Sequence, residues 1–257
     1  MPMTFAPTLS WELVVALAVL LILAVVASRI GRVGIERDVV VATVRAVAQL
    51  AIVALIIGVV LRRDWASLLF AGVMFSVAVA TASGRVTARA AWPWVAVALA
   101  SGVVPVLTII FVLQAAAFTG PAIIAIAGII IGGAMTAHTL TARRAFDVMR
   151  AERGQVEAGL ALGLERRAAI GLVIGRHALE AMLPAIDQTR TVGLVTLPGA
   201  FVGVLLGGGS SADAAASQIL VLVGLLAAQT SVVVITHRLI GEGRIMPDDV
   251  RASLPAQ

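Results

Sequence analysis

Few side chains in this 257-residue sequence could do chemistry, and they gather in three places. The first is an Arg-rich polar island, Thr141 to Arg190, carrying Glu157-Ala158-Gly159, three residues, and then Gly163. Two glycines four apart, with only small or Leu side chains between them, permit a close helix contact, and a glycine at the end permits a sharp turn. The pattern makes a short helix lying across a membrane face. It is either a solvated amphipathic loop at the lipid surface or the grip for a separate engine. The second place is Arg45 with Gln49, one helical turn apart on the same face of an apolar run. An ionised side chain at the centre of a span costs at least about 2.5 to 3.5 kcal/mol, so this pair faces protein or water rather than lipid. Arg45 either snorkels to the nearby interface or pairs with an acid such as Asp187 or Glu180 to lock a gate. The third place is Asp187-Gln188-Thr189-Arg190, which runs into an apolar stretch interrupted by Gly193, Pro198, Gly199 and Gly203. A proline frees a backbone carbonyl and flanking glycines admit another helix or an ion. Such a stretch lines a substrate path or is a packing kink, and Thr196 and Pro198 are the residues best placed to act there.

Other chemistry is excluded. Cysteine is absent, which removes disulfides, iron-sulfur clusters and thiolate metal sites. His138, His177 and His237 stand alone, none at metal-ligand spacing with another histidine or a carboxylate, and each reads as structural. There is no His-Glu-x-x-His, no serine nucleophile motif and no intramembrane carboxylate pair. The basic residues, 19 in number, are all Arg. A chain without Lys cannot supply a phosphate-binding loop ending in Gly-Lys-Ser/Thr. The chain is therefore expected to be no enzyme and to bind no cofactor, and any ATP it consumes is bound by another polypeptide.

The elements that position these residues follow from composition. The chain is 60% hydrophobic and 13% charged, with a mean hydropathy of +1.06, and a soluble core of this size cannot bury that much apolar surface. A polytopic membrane protein is the consequence. A spanning helix needs about 20 mostly apolar residues, and seven stretches approach that length: Trp11 to Ala27, Val39 to Leu61, Trp65 to Thr81, Pro93 to Leu113, Pro121 to Leu140, Thr191 to Leu206 and Ala214 to Thr236. The third and sixth are short, and Gly or Pro interruptions could break either. The first run lacks a basic region before it and a cleavage site after it, so it reads as a retained span. Loop 28 to 38 has three arginines, loop 82 to 92 two, the island eight and the C-terminal tail three, so alternate loops hold 16 of the 19. That is the positive-inside pattern: N-terminus outside, C-terminus cytoplasmic. The net charge of +5 belongs to this pattern and not to nucleic-acid binding. Within the island Arg143, Arg144, Asp147, Arg150 and Arg153 recur at helical spacing, with Phe146 and Met149 on the other face, so the fifth span extends beyond the membrane as an amphipathic helix. The domain expectation is one membrane domain over residues 1–257 with a coupling segment at 141–190 inside it.

Glu157-Ala158-Gly159, three residues, Gly163 resembles the Glu-Ala-Ala, three residues, Gly signature of ABC transporter permeases, whose coupling helix docks into a groove on the ATPase. The usual downstream Ile-x-Leu-Pro is replaced by Val173-Ile174-Gly175-Arg176. The other matches are narrower: Arg45-Ala46-Val47-Ala48-Gln49-Leu50; Ala127-Gly128-Ile129-Ile130-Ile131-Gly132 through Met135; and Leu183-Pro184-Ala185-Ile186-Asp187 running into Thr191-Val192-Gly193-Leu194-Val195-Thr196-Leu197-Pro198-Gly199. From about Val39 to His237 the chain resembles the FetB-type iron-export permeases, to which plant aluminium-tolerance permeases are related. The family commonly has Asn where this chain has Gly133, and a Met-Met pair where it has Ala200-Phe201. Those departures remove an amide and two soft thioether ligands from any iron-recognition role.

The resemblance implies a permease subunit in the cell membrane that dimerises, recruits a separate ABC ATPase and exports a metal ion, iron by family. It implies ATPase coupling through Glu157, Ala158, Gly159 and Gly163. The candidates for a translocation path or gate are Arg45, Gln49, Met135, Asp187, Thr191, Thr196, Pro198 and Gly199. The rival readings are a secondary carrier or channel that works without nucleotide, and a non-transporting membrane scaffold or sensor that uses the island for docking.

Overall fold

The computed structural model describes residues 10–86 and 88–253, and the named elements of the described chain are all helices. It forms two compact units, Met1–Val60 and Leu61–Gln257. The first unit is a hairpin of α1 (Trp11–Ile30) and α2 (Glu36–Val60). Its turn is tied by Ser28, the buried polar residue of α1, whose hydroxyl donates to Glu36 Oε1 at 3.0 Å and accepts from the Ile35 amide at 3.3 Å. Most of the large apolar residues of both helices are exposed, as expected for a surface that meets lipid.

The second unit is built on α3 (Asp64–Arg85), α4 (Trp92–Val112), α5 (Gly120–Ala151) and α10 (Ser211–Gly241), which pack against one another. The starts of α3 and α5 are joined by the Gly120 amide donating to Asp64 Oδ1 at 2.9 Å. Toward their far ends, Arg143 Nε donates to the Arg85 carbonyl at 3.2 Å, so α3 and α5 run the same way. So do α5 and α10, since Gly133 and His138 of the one meet Gln229 and Thr236 of the other in ascending order. α4 opposes them: Gly102 lies against Ala228 and Val232, while Val106 and Ile110 lie against Gly224, in descending order. The core is made of small and branched side chains, among them Val95, Ala98, Leu99, Ala127, Ile130 and Val232, all fully buried. Small residues let helix backbones approach where lipid offers no hydrophobic drive to associate.

Six helices, rather than seven, are long and apolar enough to cross a membrane among the described residues. The third expected span is a continuous helix of 22 residues. The sixth, Thr191 to Leu206, is not a helix but a break: α8 (Leu183–Thr191) ends, residues 192–198 are irregular, and α9 (Gly199–Leu206) begins. Gly193 takes φ +82, a left-handed conformation that L side chains resist. Pro198 caps α9 with extended backbone and disfavours helical geometry at Leu197 before it. Because α5 and α10 are parallel, the chain must nonetheless return from one end of the bundle to the other between them, and residues 152–210 make that return.

Candidate functional site

The polar island folds into five pieces. α5 continues to Ala151 with Phe146 and Met149 buried and the arginines of its outer face exposed, as the helical spacing predicts. α6 (Arg153–Ala161) and α7 (Arg166–Ile174) then form a hairpin, and a 3-10 turn, Gly175–Ala181, leads to α8. The two glycines of the motif have separate tasks. Gly159 is where α6 touches α7: a Cβ there would lie 3.2 Å from the Ala169 methyl and 3.4 Å from Leu164. Gly163 makes the turn at φ +85. The Leu164 amide donates to the Gly159 carbonyl at 3.1 Å and the Gly163 amide to the Leu160 carbonyl at 3.0 Å. These two bonds close the helix end and satisfy carbonyls that would otherwise be orphaned.

One face of the hairpin is anchored and the other is open. Val156, Ala169, Ile170, Val173 and Ile174 are buried, and α7 packs on both α5 and α10. The tip is bare: Ala158, Ala161 and Gly163 are exposed, and Leu162 is 85% exposed. Glu157 sits beside this tip, half-exposed, with its carboxylate held by Arg153 Nε at 2.7 Å one turn away. An acid and an uncovered leucine on a rigid mount make a surface suited to a protein partner.

Ion pairs bind the rest of the island to the bundle. Arg144 Nε meets Glu180 Oε2 at 2.6 Å, and His177 Nδ1 lies 2.7 Å from Glu180 Oε1. The His177 hydrogen bond, with the Arg144 guanidinium beside it, holds the Glu180 carboxyl below the usual carboxylate range. Arg150 Nη2 reaches Asp249 Oδ2 at 2.8 Å, fixing α11 (Asp248–Ser253) to the end of α5. The acids named as candidate partners for Arg45 are thus engaged within the second unit: Glu180 as above, and Asp187 by Arg190 at 3.6 Å.

The pathway candidates fall in three settings. Asp187, Thr191, Thr196, Pro198 and Gly199 lie along the broken segment. Its loop is closed by the Gly193 amide donating to the Thr196 carbonyl at 2.9 Å, and by the Thr191 hydroxyl donating to the Asp187 carbonyl at 2.9 Å. Leu194 at its crest is 89% exposed. Met135 is partly buried against the core in mid-α5, where its carbonyl accepts from the Thr139 hydroxyl at 2.8 Å. Arg45 and Gln49 lie exposed on α2 in the first unit. No group of three or more His, Asp or Glu side chains is placed to hold a metal ion among the described residues.

The sequence reading missed a polar seam inside the bundle. His138 is fully buried and its Nδ1 lies 2.9 Å from the Thr236 hydroxyl. Gln229 donates to the Gly133 carbonyl at 3.3 Å. The signal was present in the pattern, since these four residues fall on helix faces that carry small or apolar neighbours. Gly133 earns its place by packing: a Cβ there would collide with the Leu225 and Gln229 side chains. Gly128 likewise faces Met74 of α3.

Residues 11–243 match the model of an uncharacterised protein family, UPF0014. The chain belongs to the UPF0014 family. Among UPF0014 relatives, the membrane protein STAR2 of Oryza sativa subsp. japonica is 32% identical over 84% of this chain and 77% of its own length. Protein ALUMINUM SENSITIVE 3 of Arabidopsis thaliana is 28% identical over 84% of this chain and 80% of its own length. The "Probable iron export permease protein FetB" of Escherichia coli (strain K12) is 28% identical over 82% of this chain and 83% of its own length. The resemblance read from the motifs is therefore the family found by comparison. No solved structure matches the chain. This UPF0014 member is a multi-pass membrane protein by its apolar helices and by its relatives.

Proposed function

We propose that this chain is the permease subunit of an ABC transporter that moves a metal ion out of the cell, driven by ATP hydrolysed on a separate ATPase. The observation that supports this reading best is the α6–α7 hairpin, which offers Glu157 and Leu162 to a partner while its other face is fastened to α5 and α10. A push on the tip passes through α7 into two of the four bundle helices. The broken segment, whose residues 192–198 lie outside any helix, is the part that yields in this reading. In this reading two copies of the chain form the pore, the Arg-rich end faces the cytoplasm, and Asp187, Thr191, Thr196, Pro198 and Gly199 line or gate the path; Arg45, Gln49 and Met135 are further candidates for that role. The cargo is iron by analogy with the relative named as an iron export permease. It is held weakly and transiently, since an exporter must release what it binds.

The coupling assignment is tested by Glu157→Arg in a tagged permease co-expressed with its ATPase. The variant is expected to reach the membrane in normal amount and to lose ATPase co-purification. Normal co-purification would sink the assignment. The cargo is tested in inverted vesicles holding both subunits, with several metals offered and ATP present or withheld.

A further inference from the structure

A cavity of about 600 Å³ opens at the Arg-rich end of the second unit. It is lined by Arg89, Trp94, Arg244, Met246, Asp248 and Arg251, so the start of α4 and the segment after α10 meet there. Three guanidiniums face one carboxylate, leaving a surplus of two positive charges (3 − 1). Asp248 is the lining acid. Glu242, close by, is engaged by Arg238 and Arg244, each at 2.9 Å. Arg244 stands over the Trp94 ring, its Cζ 4.1 Å from the centroid, and Arg251 spends one donor on the Gly243 carbonyl at 3.2 Å. Arg89 makes no ion pair and no side-chain hydrogen bond among the described residues. Arginines brought together and left with spare donors form a planar, forked donor set that matches phosphate oxygens.

The setting says which phosphate. Trp92 and Trp94 open α4, Trp92 exposed and Trp94 at the cavity wall. Tryptophan at the end of an apolar helix marks headgroup level, and basic pockets between membrane helices at that level take anionic headgroups. We propose that this cavity binds a phosphate group, carried on the headgroup of an acidic phospholipid. Transport and ATPase coupling play no part in the inference.

The test uses the delipidated full-length chain in detergent, with affinity read by native mass spectrometry or ligand-induced thermal shift. The probes are phosphatidylglycerol, phosphatidylcholine of the same acyl chains, and inorganic phosphate. Phosphatidylglycerol is expected to bind about tenfold or more tightly than phosphatidylcholine, and Arg89→Gln with Arg251→Gln to reduce that affinity about fivefold per arginine removed. Arg62→Gln with Arg63→Gln, at the opposite end of the bundle, is expected to leave it unchanged. Because Arg89 has no hydrogen-bond or ion-pair partner among the described residues, Arg89→Gln alone keeps the test open should the double variant fold poorly. Binding of inorganic phosphate with the same loss in the variants supports the site and makes free phosphate its source. Equal binding of the two lipids without phosphate binding overturns the proposal. A preference undiminished in the variants also overturns it. So does loss of ATPase co-purification with lipid binding intact, which would give these arginines to a protein contact.

Discussion

Gly163 and Gly159 carry the α6–α7 hairpin by what they lack. Nothing lies within 4 Å of a Cβ built on Gly163, so the demand there is purely conformational. Gly163→Ala is therefore expected to destabilise the hairpin by about 1–2 kcal/mol, the cost of an L side chain in the left-handed region. Limited trypsin digestion in detergent reads this as roughly five- to thirtyfold faster cleavage within residues 153–167, provided opening is fast relative to cleavage. Gly163→Asn, whose side chain tolerates that region, should cost less. Equal rates for Gly163→Ala and the native chain would mean that the turn is not held as described. The turn and the close contact were both legible, because glycine spacing reports backbone demands directly. The pairing of Arg144 with His177 and Glu180 was not, because residues 33 and 36 positions apart meet only after the chain has turned back.

At the scale of elements, the long helices announced themselves and their packing did not. Gly102 and Gly133 read alike as small residues in apolar spans, but their neighbours differ. A Cβ on Gly102 would run into the backbone carbonyl of Ala228, which cannot move without bending α10, whereas one on Gly133 would meet the ends of the Leu225 and Gln229 side chains, which can rotate. Gly102→Ala is expected to lower the thermal midpoint in detergent markedly, at about 1–3 kcal/mol for overpacking, and Gly133→Ala distinctly less. The reverse order would show that α4 and α10 do not approach as closely as they do here. The predicted sixth span is the element that length and apolarity misjudged. Its composition suits lipid, but the helix breaks where Gly193 takes φ +82 and Pro198 caps α9, leaving α8 and α9 with nine and eight residues. At about 1.5 Å per residue neither reaches across a hydrocarbon core of about 30 Å. Irregular backbone survives at membrane depth only where protein or water covers it, which is the physical argument behind the proposed pathway.

For the whole molecule the decisive relation is the parallel course of α5 and α10, which makes the broken segment a seventh crossing although six helices among the described residues are long enough to span. The chain has no cysteine, so single-cysteine variants report on topology without background. Gln114→Cys and Ser210→Cys are expected to react with an impermeant maleimide from outside, and Glu152→Cys only after permeabilisation. Labelling of Ser210→Cys solely after permeabilisation would remove the seventh crossing. Composition alone determined that the chain lives in a membrane, because apolar surface on this scale has no other place to go. Arginine bias alone grouped loop 82 to 92, the island and the tail on one side. The structure joins them at one end through the Arg143 bond to Arg85, the Arg150 pair with Asp249 and the cavity between Arg89 and Arg251. What only the tertiary structure decided is which helices touch, that His138 is a buried partner of Thr236, and that arginines read as orientation signals converge on a cavity. Hydropathy and charge bias are sums over single positions, while convergence depends on helix direction and register, which emerge only when small side chains let particular backbones close on one another.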